Sequence, residues 1–239
     1  MLRGMVNATT SQQTRPLRAE LTEIVERGAQ RNKEHPYYRA LRDGSLPGIV
    51  YAHFSRQDSY YVLPSYGKAH ARCAGVAREL AHARFLGRMA AICLDNSVAD
   101  GRELEATARR LDLPVDPAGE RPPIAPTTLS YTSFLTAASV TSFTAGLGAL
   151  LPCAWLQWLV SEDLLARHEP GSRYAELIRT SHPGEPFREL VEEFLTVVDE
   201  VGDGCSAAER EELVRHVEYA VRYEWALVEA AWRLESWPL

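Results

Sequence analysis

The chain has 239 residues, of which 46% are hydrophobic and 24% charged, and its net charge is −6. This composition is typical of a globular protein that is long enough to bury a large core. The acidic balance argues against a nucleic-acid partner, because no basic stripe is available to neutralise phosphates. The four cysteines form no Cys-x-x-Cys pair, which argues against a zinc site of that type. A chain of this length with an apparently cytosolic composition does not imply a disulfide framework.

Residues 1–14 are polar and lack the apolar segment of a signal peptide, so we expect a disordered tail, one domain over residues 15–239 and a cytoplasmic protein. Between Ile124 and Ser161 no residue is charged, which by length could suggest a membrane span. The stretch is rich in Ser, Thr, Gly and Pro, however, and we interpret it as two buried helices. We therefore expect no membrane partner.

The hydrophobic pattern is helical along most of the chain, and neither a repeat nor a strand pattern occurs. We predict one all-α domain, a helical bundle, with a loop over residues 114–126 and a break at 202–204. In the first half of the chain, helices are predicted from Pro16, after His35-Pro36, from Ile49 with a kink near Pro64 and then through 69–84, and over 101–111. In the second half, helices are predicted in the uncharged run, over 174–181, over 186–201, and from the capping-box residue Ser206 to about 234.

One thiol, Cys153, lies in an uncharged apolar segment directly after Pro152. A single buried cysteine is usually a small core residue. A proline inside a helix, however, removes one backbone hydrogen bond and kinks the helix, so that a neighbouring side chain can point into a pocket. Cys153 is therefore a candidate nucleophile as well as a candidate core residue.

Two carboxylates interrupt apolar helix faces. Asp58 shares a face with Phe54 and Tyr61, and Glu224 shares one with Val221 and Val228. Each could simply meet an arginine, a backbone group or a tyrosine hydroxyl. A buried carboxyl also has a raised pKa, which suits a general acid. A helical bundle could bring both groups and Cys153 into one cavity, as covalent catalysis by a thiol requires.

An ordered set of short motifs carries a resemblance to a known family. They are His35-Pro36, Asp43-Gly44-Ser45-Leu46-Pro47, Gln57-Asp58-Ser59-Tyr60-Tyr61, Pro126-Thr127-Thr128, Tyr131-Thr132-Ser133, residues 149–156 and Tyr223-Glu224. With this set the chain resembles the TenA/thiaminase II family over about residues 20–237. The resemblance implies the haem-oxygenase-like all-α fold.

The resemblance also implies hydrolysis at an aminopyrimidine, either thiamin or a thiamin breakdown product, without a metal or an organic cofactor. By resemblance Cys153 is the nucleophile that attacks the pyrimidine ring, and Glu224 protonates the ring or the leaving group. Asp58 holds the exocyclic amine and a ring nitrogen, while Tyr61 and Tyr131 line the site. The family further implies a homodimer or homotetramer.

This sequence departs from the family pattern at three places. Gln157 and Ser181 stand where the family has tyrosines, and Leu227-Val228 replaces a Phe-Trp pair. We assign Gln157 and Ser181 to the substrate site, where Gln157 can still donate a hydrogen bond and Ser181 leaves additional volume. We therefore expect a substrate preference shifted away from the standard pyrimidine and towards a larger molecule of a specialised pathway.

Two other interpretations compete with this one. The pairs Glu79/His82 and Glu212/His216 have the helical spacing of metal ligands, so a two-iron oxidase on the same fold is an alternative. The second alternative is a binding or regulatory protein without catalysis. The chain shows no helix-turn-helix signature, which argues against direct contact with DNA.

Overall fold

The computed structural model describes residues 16–111 and 121–238, and in these ranges the chain contains helices and connecting turns but no strand. The all-α prediction is therefore confirmed. A five-residue π-helical turn, Asp58–Val62, separates two of the α-helices. The α-helices of the described ranges are α1 (Leu17–Glu34), α2 (Pro36–Asp43), α3 (Gly48–Gln57), α4 (Leu63–Val76), α5 (Leu80–Arg110), α6 (Pro126–Thr141), α7 (Phe143–Arg167), α8 (Ala175–Thr180), α9 (Gly184–Gly204) and α10 (Ala207–Trp232).

Helix α7 lies at the centre of the bundle and packs against α1, α4, α6, α9 and α10. Residues 144–152 are all buried, which explains why this part of the chain carries no charge. By length and composition α7 could also span a membrane, but 72% of its most apolar window is buried inside the fold. Helix α6 completes the uncharged pair and leaves one face exposed, including Leu129 and Val140.

A smaller core lies at one end of the bundle, between α2, α3 and α8. Its fully buried members include Tyr37, Leu46 and Tyr174. The guanidinium of Arg42 connects this end to α7, because it donates to Asp163 at 2.5 Å and to the carbonyl of Lys33 at 2.8 Å. Both side chains of the ion pair are nearly buried, so the pair fixes the position of α2 against α7.

The prediction of one helix running from residue 69 to residue 84 is wrong. Helix α4 ends at Val76, where the next residue, Ala77, turns to an extended conformation with ψ 130°. Val76 and Leu80 are both largely exposed, so no apolar face continues across this boundary. Helix α5 then packs back along α4. The helix predicted over residues 101–111 is the end of α5, which continues through Gly101 to Arg110.

Pro64 produces a widened turn instead of a simple kink. The amide of Leu63 donates to the carbonyl of Asp58, which is the spacing of a π-helix. Because Pro64 has no N–H, it cannot pair with the carbonyl of Tyr60 four residues earlier. The guanidinium of Arg121 donates to that carbonyl instead, at 2.6 Å. The carbonyl of Tyr60, left without a helical partner, thereby connects the segment 121–125 to the π turn.

Several other boundaries agree with the sequence signals, and one does not. Ser206 and Glu209 form the predicted capping box of α10, and the ring of His35 accepts from the Tyr37 amide at 3.1 Å at the start of α2. Gly44, with φ 85°, forms the predicted turn after α2. The break predicted at 202–204 is instead the last turn of α9. The predicted tail and most of the predicted loop fall on residues 1–15 and 112–120, outside the described residues.

We expect Gly148→Ala to destabilise the protein and Gly87→Ala to stabilise it. A Cβ at Gly148 would lie 2.4 Å from the backbone oxygen of Leu213, which cannot move without shifting α10, whereas a Cβ at Gly87 meets nothing within 4 Å. Overpacking predicts a loss of about 1–3 kcal/mol at Gly148, and helix propensity predicts a gain of about 0.5–1 kcal/mol at Gly87. Urea unfolding of the two variants measures both, and equal effects would contradict this account of the α7–α10 contact.

Candidate active site

Cys153 lies on α7, one residue after Pro152, and is largely surrounded by protein. Burial raises the pKa of the Cys153 thiol well above its ordinary value, and the nearby carboxylates of Glu224 and Asp58 raise it further. The resting group is therefore a neutral thiol. Any nucleophilic role requires a neighbour that accepts its proton.

Glu224 is that neighbour. From α10 its carboxylate accepts one hydrogen bond from the Cys153 thiol and another from the hydroxyl of Tyr131. Burial raises the pKa of Glu224, and the two hydrogen bonds offset part of this increase. Three helices thus meet at one carboxylate, α6 through Tyr131, α7 through Cys153 and α10 through Glu224.

Tyr131 is fully buried, and its position is fixed by stacking as well as by hydrogen bonding. Its ring stacks on the ring of Tyr223 with the centroids 5.2 Å apart and the planes 9° from parallel. The Tyr223 hydroxyl is in turn 2.9 Å from the hydroxyl oxygen of Ser130. The Tyr131 hydroxyl, which donates to Glu224, is therefore held in place by contacts from both α6 and α10.

Asp58 begins the π-helical turn and lies on the same side of the bundle as the thiol. Its charge contributes to the raised pKa of Cys153 and of the buried Cys93 on α5. Wide turns of this kind re-aim side chains and occur frequently at functional sites. The structure therefore brings together the thiol and the two carboxylates that the sequence placed on three separate helices.

We infer from their exposure and desolvation that these groups line a hollow. Cys153 and Glu224 are desolvated strongly enough for burial to raise both pKa values, yet both side chains, like that of Asp58, retain partial exposure. Tight packing would remove that exposure, and contact with bulk water would remove the desolvation. Partial exposure combined with strong desolvation is expected of groups that line an enclosed pocket.

The hydroxyl of Tyr66 forms hydrogen bonds with the backbone of α7 next to Cys153. Its buried hydroxyl donates to the carbonyl of Leu150 at 2.8 Å and accepts from the amide of Ala154, two groups that would pair with each other in a regular helix. A side chain inserted into the helical hydrogen bonds opens the turn locally. Together with Pro152, Tyr66 therefore sets the direction in which Cys153 projects. The sequence analysis missed this residue, because a tyrosine at an apolar position is indistinguishable from core.

Tyr61 lies at the edge of this region, and its hydroxyl is already engaged. It donates to the carbonyl of Pro122, and the Arg121 guanidinium lies over its ring, 4.3 Å from the centroid. The buried Gln57 binds the same segment through the Pro123 carbonyl at 2.9 Å and the Ala125 amide at 3.0 Å. The structure thus gives Tyr61 a role in fastening the segment 121–125, and its contact with a substrate stays a prediction.

Gln157 and Ser181 are placed differently from the central group. Gln157 lies one helical turn after Cys153 on α7, and its side chain is exposed. Ser181, at the end of α8, is also exposed and lines a small cavity of about 110 Å³, partly open to solvent, with Tyr51, Ser161 and His182. The lining of that cavity does not include Cys153, Asp58 or Glu224. The substrate contacts assigned to both residues stay predictions.

The residues of the two-iron alternative have other partners. His82 binds the carboxylate of Glu200 at 2.8 Å, and Glu212 accepts from Ser142 and Thr144 at the start of α7. Among the side chains that the structure describes, no group of three His, Cys, Asp or Glu residues could hold a metal ion. The helical spacing of these pairs reflects ion pairing and helix capping in the described part of the chain.

The model of the TENA/THI-4/PQQC family matches residues 19–233, nearly the whole chain. The chain belongs to this family. The family resemblance expected from the motifs is thereby confirmed.

Among curated TenA-type relatives, an aminopyrimidine aminohydrolase of Bacillus subtilis (strain 168) is 29% identical over 204 residues, which cover 85% of this chain and 84% of the relative. Another aminopyrimidine aminohydrolase, of Halalkalibacterium halodurans, is 27% identical over 188 residues, 75% of this chain and 79% of that one.

Solved structures confirm the TenA fold. A TenA homologue from P. horikoshii OT3 superposes with a TM-score of 0.70 at 20% identity, covering 92% of this chain and 99% of that one. A domain from Shewanella denitrificans OS217 described as having a haem-oxygenase-like fold superposes with a TM-score of 0.56 at 16% identity, covering 89% of this chain and 90% of that one. At these identities the likeness concerns the fold alone.

We expect the effect of Glu224→Gln on stability to change with pH. Because the pKa of Glu224 is raised in the folded protein above the ordinary value of 4.5, its protonated form stabilises the fold at low pH, and this contribution is lost as pH rises through the folded pKa. Glutamine does not titrate. The free energy of unfolding of the variant, minus that of the wild type, should therefore increase as pH rises above 4.5. Urea unfolding at a series of pH values measures the difference.

The control for this substitution is Glu211→Gln, at an exposed position of the same helix. A Glu224→Gln difference that stays constant or falls with rising pH would contradict the buried carboxyl inferred from the geometry.

Proposed function

We propose that this protein is a cofactor-independent, TenA-like hydrolase that breaks a C–N bond of an aminopyrimidine, thiamin or a thiamin breakdown product, with Cys153 as its nucleophile. The observation that carries the proposal is the hydrogen-bonded series Cys153–Glu224–Tyr131 in a hollow beside Asp58. The aminopyrimidine aminohydrolases among the relatives support the substrate class.

In the proposed reaction Glu224 transfers a proton in both directions. Its carboxylate accepts the thiol proton of Cys153 while the sulfur adds to an electron-poor carbon of the pyrimidine. The C–N bond to the amine then breaks, and Glu224 returns the proton to the departing nitrogen. Water then supplies the hydroxyl group that remains on the pyrimidine product, the C–S bond breaks, and the other proton of the water restores the Cys153 thiol. The net reaction adds one water across the C–N bond.

The remaining groups position the substrate and the acid. Asp58 accepts hydrogen bonds from the exocyclic amine of the pyrimidine, for which a carboxylate is a suitable partner. Tyr131 donates to one oxygen of Glu224 and thereby holds the carboxylate in place for proton exchange with the sulfur. Because burial raises the pKa of both Glu224 and Cys153, the proton shared between them can move without a charge being exposed to water.

We also propose a substrate preference that differs from that of ordinary TenA enzymes. The exposed Gln157 and Ser181 provide no aromatic wall, although the family has tyrosines at these two positions. A pocket with less aromatic surface stacks a flat pyrimidine less strongly and leaves room for a larger substrate. A protein that binds a small molecule without catalysis remains the second candidate, because the loss of aromatic surface at these two positions weakens the pocket.

We expect Cys153→Ala to lower turnover of aminopyrimidine substrates roughly a thousand-fold or more, because the nucleophile is lost. The matched control is Cys205→Ala, which removes a partly exposed thiol at the junction of α9 and α10 and should leave turnover unchanged. Ammonia release measures both variants. Unchanged turnover in Cys153→Ala would remove Cys153 as the nucleophile, and no turnover by the wild type on any member of the series would favour the binding protein.

We expect weaker binding of aminomethylpyrimidine by this protein than by the Bacillus subtilis relative, because two aromatic walls are absent. Loss of one or two such contacts corresponds to roughly a 3- to 100-fold weaker affinity. Isothermal titration calorimetry compares the two proteins, each with its nucleophilic cysteine changed to alanine so that no turnover occurs. Equal affinities would contradict a shifted preference.

A further inference from the structure

The segment that follows α10 folds back onto the start of α6. After Arg233 at the end of the helix, Leu234 adopts a left-handed conformation with φ 51°. The amide of Glu235 then donates to the carbonyl of Ala230 at 2.8 Å. Glycine is the usual residue in such a turn, and among the described residues Leu234 is the one non-glycine residue with a positive φ. A left-handed leucine persists only where the surrounding contacts hold it, so the residues that follow must supply those contacts.

Two side chains of this segment bind the start of α6. The carboxylate of Glu235 accepts from the Thr127 amide at 2.8 Å and from the Thr127 hydroxyl at 3.0 Å. The indole N–H of Trp237 donates to the carbonyl of Ile124 at 2.8 Å. The N-cap residue of α6 is Ala125, which has no polar side chain for this purpose. Glu235 therefore caps α6 from a distant part of the chain, with its negative charge at the positive end of the helix.

The turn that Glu235 caps leads directly into the candidate active site. Thr127 lies one helical turn before Tyr131, whose hydroxyl donates to Glu224. Glu224 is on α10, the helix that continues into the segment carrying Glu235. Helices α6 and α10 are thus joined twice, by the Tyr131–Glu224 hydrogen bond and by the Glu235–Thr127 contacts one turn away.

The π turn with Asp58 is held by other contacts. Gln57, the residue before Asp58, binds the carbonyl of Pro123 at 2.9 Å and the amide of Ala125 at 3.0 Å. Neither hydrogen bond involves the segment after α10. Loss of the Glu235 carboxylate therefore loosens the first turn of α6 and leaves the π turn in place.

We propose that Glu235 is a positioning residue, which holds the first turn of α6 so that Tyr131 keeps the carboxylate of Glu224 in place for proton transfer. This assignment rests on the reaction proposed above and deepens it. Glu235 acts through α6 and takes no part in the reaction itself. Its removal should therefore slow the chemical step and leave substrate binding, which depends on Asp58, nearly unchanged.

Steady-state kinetics with aminomethylpyrimidine distinguishes this role from a merely stabilising one. Glu235→Ala is expected to lower kcat roughly 3- to 10-fold, the effect of one hydrogen bond, with little change in KM. The Tyr131 hydrogen bond lowers the pKa of Glu224, so a loosened bond should move the acidic limb of the kcat/KM profile to higher pH. A loss of stability alone would not move that limb in the folded protein.

The acidic limb reports on Glu224 because its other neighbours do not titrate there. Burial, with a smaller contribution from Glu224, raises the pKa of four groups: Tyr131 on α6, Cys153 on α7, Tyr66 on α4 and Tyr38 on α2. All four stay protonated at acid pH. Asp58 keeps its turn in the variant, so its contribution to the profile is the same in both proteins.

Three further variants of these contacts keep the test decisive. Tyr131→Phe removes the hydrogen bond to Glu224 directly and should move the acidic limb in the same direction, and adding Glu235→Ala to it should cause no further shift. Thr127→Val removes one of the two bonds to Glu235 and should cause a smaller decrease in kcat, which tests the proposal even if Glu235→Ala fails to fold. Glu235→Gln can accept from the Thr127 amide and donate to its hydroxyl oxygen, so it should retain most of kcat.

Glu209→Ala is the matched control. It removes a capping carboxylate from the start of α10, about 22 Å along the helix from Glu224, and should leave kcat and the acidic limb unchanged. Thermal unfolding followed by circular dichroism establishes which variants are folded.

Two results would overturn the assignment of Glu235. One is an unchanged kcat and acidic limb in the folded Glu235→Ala and Thr127→Val proteins. The other is an equal change in Glu209→Ala, which would make the effect a general consequence of lost stability. If the folded wild type turns over no aminopyrimidine, the proposed function fails first, and the assignment fails with it.

Discussion

The arrangement of the site depends on one buried carboxylate. Glu224 accepts from Tyr131 on α6 and from Cys153 on α7, so a single acidic group on α10 connects the three helices that surround the hollow. A lone carboxylate in this position would be costly, and the two donors reduce that cost without removing it. The residual penalty appears as the raised pKa, which makes the same group suitable for proton transfer. The stability of the site and its reactivity therefore have a common electrostatic origin.

Two prolines shape the helices on either side of this carboxylate. Pro64 frees the Tyr60 carbonyl and accompanies the π turn that begins with Asp58, while Pro152 precedes Cys153 in a helix that the Tyr66 hydroxyl opens further. In each case a polar partner, Arg121 or Tyr66, binds the backbone group that a regular helix would satisfy internally. Asp58 thus projects from an irregular turn, and Cys153 projects from a continuous helix next to an internal proline.

The sequence predicted the parts of this structure that follow from periodicity and capping. The 3.6-residue pattern identified the bundle and placed Glu224 and Asp58 on apolar faces, and the capping box located the start of α10. It did not locate the boundary between α4 and α5, because the decisive factor there is the packing of α5 back along α4. It also could not distinguish Tyr66 from core aromatics, since the direction of a tyrosine hydroxyl depends on tertiary packing alone.

The placement of polar groups around the hollow also bears on specificity. Gln157 and Ser181, which stand where the family resemblance leads us to expect tyrosines, are exposed and contribute no aromatic surface, while the Tyr66 hydroxyl is bound to the backbone of α7. A hydroxyl discriminates between ligands by its direction, and an aromatic wall does so by its area. Replacing aromatic area with smaller polar groups changes how strongly a bound flat ring is stacked, without changing the thiol and the acid. A shift in preference of this kind needs no change in the chemistry of Cys153 and Glu224.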